Sequence, residues 1–319
     1  MDKGIAKMSE RTKPERIKHL LDWKFWSRQD IRALLDLALR IKQDRREFED
    51  RLHARTLVML FQKTSTRTRV SFEAGMTALG GHAIHLDWRA SNFTLGDIRS
   101  EARYLSRNCA FIMARVRDHA DVRSMTEVAT VPVINGCCNL YHPCQALADV
   151  LTIAEDRGGD PSGARLVYIG VYNNVVNSLV SICEAFDIHL TLVCPLRDDS
   201  VIDQQSRRRL LDKGLLKESL DAKESLNGAH YVYTDTWLDM EFFNDPAYAD
   251  EKERRISLML PYQINSDLLA GSQAKVMHDM PMHLGYEITE EVANGERSII
   301  YEQSENRLHA QNAILIDLS

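Results

Sequence analysis

Five consecutive polar residues, Ser65-Thr66-Arg67-Thr68-Arg69, stand between an apolar strand-like run at 57–61 and a helix-like pattern carried by Val70, Phe72, Ala74, Met76 and Leu79. So placed, they begin a helix. A helix start exposes N–H groups with no partner and the positive end of the peptide macrodipole. Hydroxyl donors and arginine forks added to that field make a holder for phosphate. A plain Ser/Thr cap with solvated arginines is the alternative, but a cap needs one hydroxyl and not such a run. Arg115 follows the apolar run Phe111-Ile112-Met113-Ala114 and puts a cation at a strand's carboxyl end, within reach of an anionic ligand. The neighbouring Arg117 and Arg123 also allow a surface arginine there. In His142-Pro143-Cys144-Gln145 the proline favours a helix start, leaving His142 just ahead of the helix and Gln145 one turn in. Both then face one ligand, and an imidazole N–H on a carbonyl oxygen stabilises a tetrahedral intermediate. The segment Ser304-Glu305-Asn306-Arg307-Leu308-His309, taken alone, reads as a solvated helix start.

The elements that must position these groups alternate between strand and helix. Residues 15–45 carry helical spacing (Leu20, Leu21, then Ile31, Leu34, Leu35, Ala38, Ile41). Strands are predicted at 56–61, 82–86, 109–113 and 131–134, with helices at 70–79, 99–107, 119–128 and 143–154 between and after them. Residues 88–96 read as a loop, and 156–163, rich in Gly, Asp and Pro, as a linker. A second alternation follows: strands at 166–169, 190–194, 230–233 and 276–280, helices at 174–186, 200–214 and 307–318. Such alternation predicts parallel sheets covered on both faces, in two similar doubly wound α/β domains. Ligands of such sheets bind beyond the carboxyl ends of the strands. The polar clusters at 62–69, 115, 135–145, 170–174, 234–240 and 278–283 all fall there, which predicts a cleft between the domains.

Composition narrows the function classes. The chain has 319 residues, 44% apolar and 27% charged, with a net charge of 40 − 46 = −6. This suits two globular domains and offers no basic face to nucleic acid. No apolar run approaches the ~20 residues that span a bilayer, and residues 1–18 lack a signal-peptide core, so a cytoplasmic protein is expected. Six cysteines (Cys109, Cys137, Cys138, Cys144, Cys183, Cys194) form no Cys-x-x-Cys pair and are expected as free thiols. Cys137, Cys138, His142 and Cys144 cluster without a common zinc spacing. No metal or organic cofactor is expected.

Ser65-Thr66-Arg67-Thr68-Arg69 with Ser71-Phe72-Glu73, His142-Pro143-x-Gln145-x-Leu147-x-Asp149, and Glu305-Asn306-Arg307-x-His309 together resemble the aspartate and ornithine carbamoyltransferases, in the right order and over about residue 15 to the end. The resemblance implies that Ser65, Thr66, Arg67, Thr68 and Met280 help hold carbamoyl phosphate. It further implies that Arg115, His142 and Arg307 polarise its carbonyl while Gln145 orients its NH₂. It places the last helix back across the first domain, so that 1–150 joined by 304–319 forms the carbamoyl phosphate domain and 151–303 the acceptor domain. Asn174 in Tyr172-Asn173-Asn174 and Thr234-Asp235-Thr236-Trp237-Leu238-Asp239-Met240 are similar to the ornithine branch, with Asn174, Asp235, Asp239 and Met240 on the acceptor. Two positions depart from that branch. Asp239 stands where the pattern has serine, and Asp279, in His278-Asp279-Met280-Pro281, where it has cysteine. Asp279 is expected beside the reacting amine. The extra carboxylates favour a cationic acceptor, so putrescine, lysine or an acylated ornithine stays open beside ornithine. A trimer with shared sites is implied, Arg89 or Arg99 being the candidate to enter the neighbour's site. Two readings from other classes are an inactive carbamoyl phosphate-binding homologue, suggested by Asp279, and a dinucleotide enzyme, disfavoured by the missing Gly-x-Gly-x-x-Gly.

Overall fold

The structure, a computed structural model, describes residues 18–238 and 242–319. Its first sheet holds β1 (Thr56–Phe61), β2 (His82–Asp87), β3 (Phe111–Arg115) and β4 (Val133–Cys137), in the order β2-β1-β3-β4 and all parallel. The second holds β5 (Arg165–Val171), β6 (His189–Leu196), β7 (Leu216–Glu218), β8 (Tyr231–Thr234) and β9 (Lys275–His278), in the order β7-β6-β5-β8-β9, again all parallel. Each sheet changes direction of winding, so each is doubly wound, as the alternation predicts.

Helices cover both faces. They are α1 (Arg28–Gln43), α2 (Thr66–Ala78), α3 (Ile98–Leu105), α4 (His119–Thr126), α5 (Pro143–Asp156), α6 (Asn174–Phe186), α7 (Gln204–Asp212), α8 (Ala222–Ser225), α9 (Ala249–Met259), α10 (Glu290–Ala293) and α11 (Ile300–Asp317). One apolar cluster runs through both halves, joining α1, α5, α6 and α11 to the inner faces of both sheets (Leu34, Met59, Leu147, Tyr168, Leu179, Ile314). Separate clusters fill the outer face of each sheet, around Ile112 in the first and Val276 in the second. A shared middle layer of this kind fixes the two sheets to one another through close-packed side chains. At one crossing α11 lies so close to α2 that a Cβ on Gly75 would stand 2.2 Å from Asn312 Oδ1.

Several expected bounds move. Residues 18–27 are not helical. Leu20 instead pairs with Ile134 in a parallel bridge, and Ser27 caps α1 by accepting from Asp30 N. The third and fourth strands sit two residues later than expected, which makes Arg115 the last residue of β3. Two short 3₁₀ turns (88–90 and 92–94) replace the open loop. Strand β9 ends at His278, so Asp279 and Met280 leave its carboxyl end, with Met280 at φ 58°. The final helix begins seven residues earlier than expected, and β7 and α9 had no expectation at all. Among the described residues no helix is long and apolar enough to cross a membrane.

Candidate active site

Helix α2 starts one residue after Ser65, whose hydroxyl accepts from Thr68 N at 3.3 Å. The polar run is therefore the cap and first turn of the helix, at the carboxyl end of β1. Register pairs Phe61 with Arg115, so β1 and β3 deliver the phosphate-type loop and Arg115 side by side. Thr68 is buried, and its Oγ1 accepts from Arg307 Nη2 at 3.0 Å and from Arg115 Nη1 at 3.3 Å. One hydroxyl thus gathers guanidiniums from β3 and α11. With its lone pairs so engaged, its own proton is free to point at a ligand.

Arg307 is no solvated helix start. It is 3% exposed in mid-helix, and its Nη1 donates to Gln145 Oε1 at 2.5 Å. Gln145 Nε2 donates in turn to Asp149 Oδ1 at 2.8 Å. Asp149, one helical turn further along α5, also accepts from Gln303 Nε2 at 2.6 Å, and Gln303 Oε1 accepts from His278 N at 2.8 Å. A continuous buried chain therefore runs from Thr68 to the end of β9. Burial pushes the Asp149 carboxyl up to about 7, against the two amide donors.

His142 ends the loop after β4 as the residue preceding α5. Three side chains on one face of α6 hold that loop. Asn174 Nδ2 donates to the Cys138 carbonyl at 2.7 Å, Asn177 Nδ2 to the Leu140 carbonyl at 3.0 Å, and Ser178 Oγ accepts from His142 N at 2.7 Å. Tyr141 OH lies between Lys24 Nζ at 2.7 Å and Asp203 Oδ2 at 3.0 Å. Burial first, and then Arg307, Arg115 and Arg67, hold the His142 pKa well below the imidazole range. His142 is therefore neutral at pH 7, with a buried Nδ1 that has no partner in the protein. Burial likewise holds the guanidinium pKa values of Arg67 and Arg307 below their ordinary value. Three guanidiniums converging on a neutral imidazole are an unfavourable arrangement for an empty protein and a favourable one for an oxyanion or phosphate.

The comparisons with known proteins agree with this geometry. Residues 18–155 match the model of the aspartate/ornithine carbamoyltransferase carbamoyl-P binding domain, and residues 162–318 that of the Asp/Orn binding domain. The chain belongs to the aspartate/ornithine carbamoyltransferase family. An ornithine carbamoyltransferase of Archaeoglobus fulgidus is 40% identical over 95% of this chain and 97% of its own. One of Shewanella oneidensis is 40% identical over 95% and 99%. The solved ornithine carbamoyltransferase of Pyrococcus furiosus superposes with a TM-score of 0.85 at 37% identity, covering 94% of this chain and 96% of that one.

In the second half, Asp235 follows β8 and is buried. Its Oδ2 accepts from Asn173 Nδ2 at 2.5 Å and its Oδ1 from Thr236 N at 2.7 Å. Asn173 also caps α6 through Val175 N and Val176 N. Asn174, expected on the acceptor, spends its NH₂ on Cys138 and on Cys137 Sγ (3.2 Å), leaving Oδ1 for a ligand. Asp239 and Met240 lie outside the described residues. Arg89 is solvent-exposed near Asp87, and Arg99 pairs with Glu127. Asp235, His278 and Asp279 have ligand-type atoms within 4.8 Å of one another, but both His278 nitrogens are engaged. Nδ1 accepts from Met280 N at 2.8 Å and Nε2 lies 3.2 Å from Glu287 Oε1, so the trio offers a metal only its carboxylates.

Sequence reasoning named Asp149 and Asn173 within its motifs but gave them no role, and it missed Asn177, Ser178 and Gln303. Signals existed for some of them. Asp149 and Gln303 stand four residues from Gln145 and Arg307, the spacing of one helix face, and Asn173 is a standard capping residue before a helix.

Proposed function

We propose that this protein transfers the carbamoyl group of carbamoyl phosphate to the side-chain amine of L-ornithine, giving L-citrulline and phosphate. The observation that carries the reading is the convergence of Arg115 and Arg307 on Thr68, with Arg67 adding to the positive field around a neutral His142 whose Nδ1 has no partner in the protein. Family membership and the names of its relatives point the same way. Ser65, Thr66, Arg67 and Thr68, at a helix N-terminus, take the phosphate, with Met280 beside it. Arg115, His142 and Arg307 surround the carbonyl oxygen, and Gln145, oriented by Arg307 and Asp149, takes the carbamoyl NH₂. Asp235 pairs with the acceptor's ammonium, with Asn174, Asp239 and Met240 completing that side. Holding the two substrates at attack distance and stabilising the oxyanion supply the rate.

In this reading residues 1–150 with 304–319 serve carbamoyl phosphate and 151–303 the acceptor. A cytoplasmic homotrimer in arginine metabolism, with Arg89 or Arg99 entering the neighbour's site, completes it. The test is phosphate and citrulline production from carbamoyl phosphate with ornithine, putrescine, lysine and N-acetylornithine in parallel. Ornithine is expected to dominate, and Arg67→Ala to abolish turnover with an unchanged circular dichroism spectrum. Silence with ornithine, or full activity in the variant, would overturn the assignment.

A further inference from the structure

Two buried carboxylates stand together at the ends of neighbouring strands. Asp235 leaves β8 and Asp279 leaves β9, and these strands pair in parallel up to Thr234 and His278. Asp235 is satisfied by Asn173 and Thr236. Asp279 is not. Its side chain is 11% exposed, no protein donor reaches its buried Oδ1, and its carboxyl meets that of Asp235 in a contact that is favourable only when the two share a proton. His278 cannot supply one, because its Nδ1, 3.8 Å from that oxygen, already accepts from Met280 N. A buried, unpaired carboxyl oxygen is costly and calls for an explanation.

Every element around Asp279 contributes charge. Asp235 from β8 and Asp149 from α5 repel its ionised form, while Arg67 from α2 and Arg307 from α11 attract it. Tyr168 and Tyr233 are close and neutral, burial holding both phenols well above their usual range. Burial first, and then Asp235, raise the Asp279 pKa well above the ordinary carboxylate value. The group thus stands beside the anchor Asp235, within 4.8 Å, and in the field of Arg67 from the phosphate loop.

We propose that Asp279 is a catalytic residue of the transfer, the group that takes a proton from the acceptor's side-chain ammonium. The inference rests on the carbamoyl-transfer reading above. A primary amine of this kind has a solution pKa of about 10.4 and reaches the protein charged. Its nitrogen has no lone pair until one proton leaves. Asp279 Oδ1 accepts that proton, and the freed pair forms the N–C bond to the carbamoyl carbon. The C–O bond to phosphate then breaks, its electron pair leaving on the phosphate oxygen. The nitrogen's second proton goes to the departing phosphate, and Asp279 returns its own proton to water after product release. One ammonium and one carbamoyl phosphate dianion thus give the substituted urea, hydrogenphosphate and one proton. A carboxylate whose hold on a proton is strengthened by burial is a stronger base in this exchange than an ordinary one. The missing partner on Oδ1 is then the substrate itself.

The experiment compares unmodified protein with Asp279→Asn on two acceptors, ornithine and its aminooxy analogue, whose side-chain nitrogen is already neutral at pH 7. General-base loss is worth roughly 10²–10⁴-fold. The variant is expected to lose about 10²-fold or more in kcat/KM with ornithine at pH 7.5 and only a few-fold with the analogue. The loss with ornithine should shrink about tenfold per pH unit toward pH 9.5, as free amine becomes available in solution. Asp279→Glu, which restores a carboxylate, should recover part of the ornithine rate and serves if the Asn variant folds poorly. Equal losses on both acceptors, or a loss independent of pH, would show a merely structural role and overturn the proposal. Failure of the unmodified protein to release phosphate with either acceptor would instead overturn the transfer reading, and the proposal with it.

Discussion

Thr68→Val tests the centre of the site with a near-isosteric change. The variant keeps the branched shape and removes one hydroxyl, which receives Arg307 at 3.0 Å and Arg115 at 3.3 Å. Hydrogen bonds to charged groups are worth about 1.5–3 kcal/mol. The Arg115 contact is long and its side chain only partly buried, so the Arg307 bond dominates. Arg307 keeps Gln145 through Nη1, while Nη2 loses its partner in a buried place. The expected loss of stability is therefore about 2–3 kcal/mol, survivable against a typical total of about 5–15. The same arginine faces the carbonyl oxygen in the proposed reaction. A misplacement costing about 2–3 kcal/mol in the transition state lowers kcat/KM by roughly 30–150-fold. Urea unfolding reads the first quantity and citrulline formation the second. Thr68→Ser keeps the hydroxyl and should stay within a few-fold of the unmodified rate. The reasoning fails if valine leaves both readings unchanged. It fails equally if serine is as damaging as valine, since the methyl rather than the hydroxyl would then matter.

Three other outcomes follow from features described above. Asp149 has a folded pKa raised to about 7, so the folded state holds its proton more tightly than the unfolded chain, near 3.9. Its contribution to stability falls as pH rises from about 4 to about 7 and is level above that, and Asp149→Asn should flatten this slope in unfolding midpoints measured across that range. Asn177→Leu removes the donor to the Leu140 and Val201 carbonyls and the acceptor for Asp203 N. It should lower kcat more than it alters carbamoyl phosphate binding, because the loop carrying His142 loses its seat, and steady-state kinetics beside isothermal titration will separate the two. Burial pushes the thiols of Cys109 to about 11 and of Cys138 and Cys144 to about 12. A thiol reagent at pH 8 should leave these three unmodified in the folded protein and label them in urea, and rapid labelling of the native protein would contradict their burial.

The phosphate-type loop, the His142–Gln145 pair and the strand ends were legible because each announces itself locally. A polar run after an apolar strand, or a proline at a helix start, needs no knowledge of the rest of the chain. Helix α11 was half hidden for the opposite reason. Gln303, Asn306, Arg307, His309, Gln311 and Asn312 are all buried there, and in a pattern of apolar periodicity buried polar residues count as solvent-facing. Their burial is made possible by partners such as Asp149, Thr152 and Thr68, more than 150 positions away. Strand β7 is only three residues long with two of them exposed, and α9 buries only Met259, so neither leaves a periodic signal. The same logic covers Asn174. Its identity suggested a ligand contact, but only the fold shows that a carbonyl of the preceding loop claims its amide first.

The placement of Arg307 on α11 also governs when a newly made chain becomes competent. Sheet one is complete by residue 137, yet the candidate pocket at its carboxyl ends lacks the Arg307 guanidinium until residues 300–317 have been synthesised and have docked on α2 and α5. At roughly 5–20 residues per second, that gap lasts about 10–40 s on the ribosome. Through that interval the first half carries an open apolar seam where α11 will lie. A nonsense change between residues 279 and 299 would leave both sheets written and α11, with Arg307, missing.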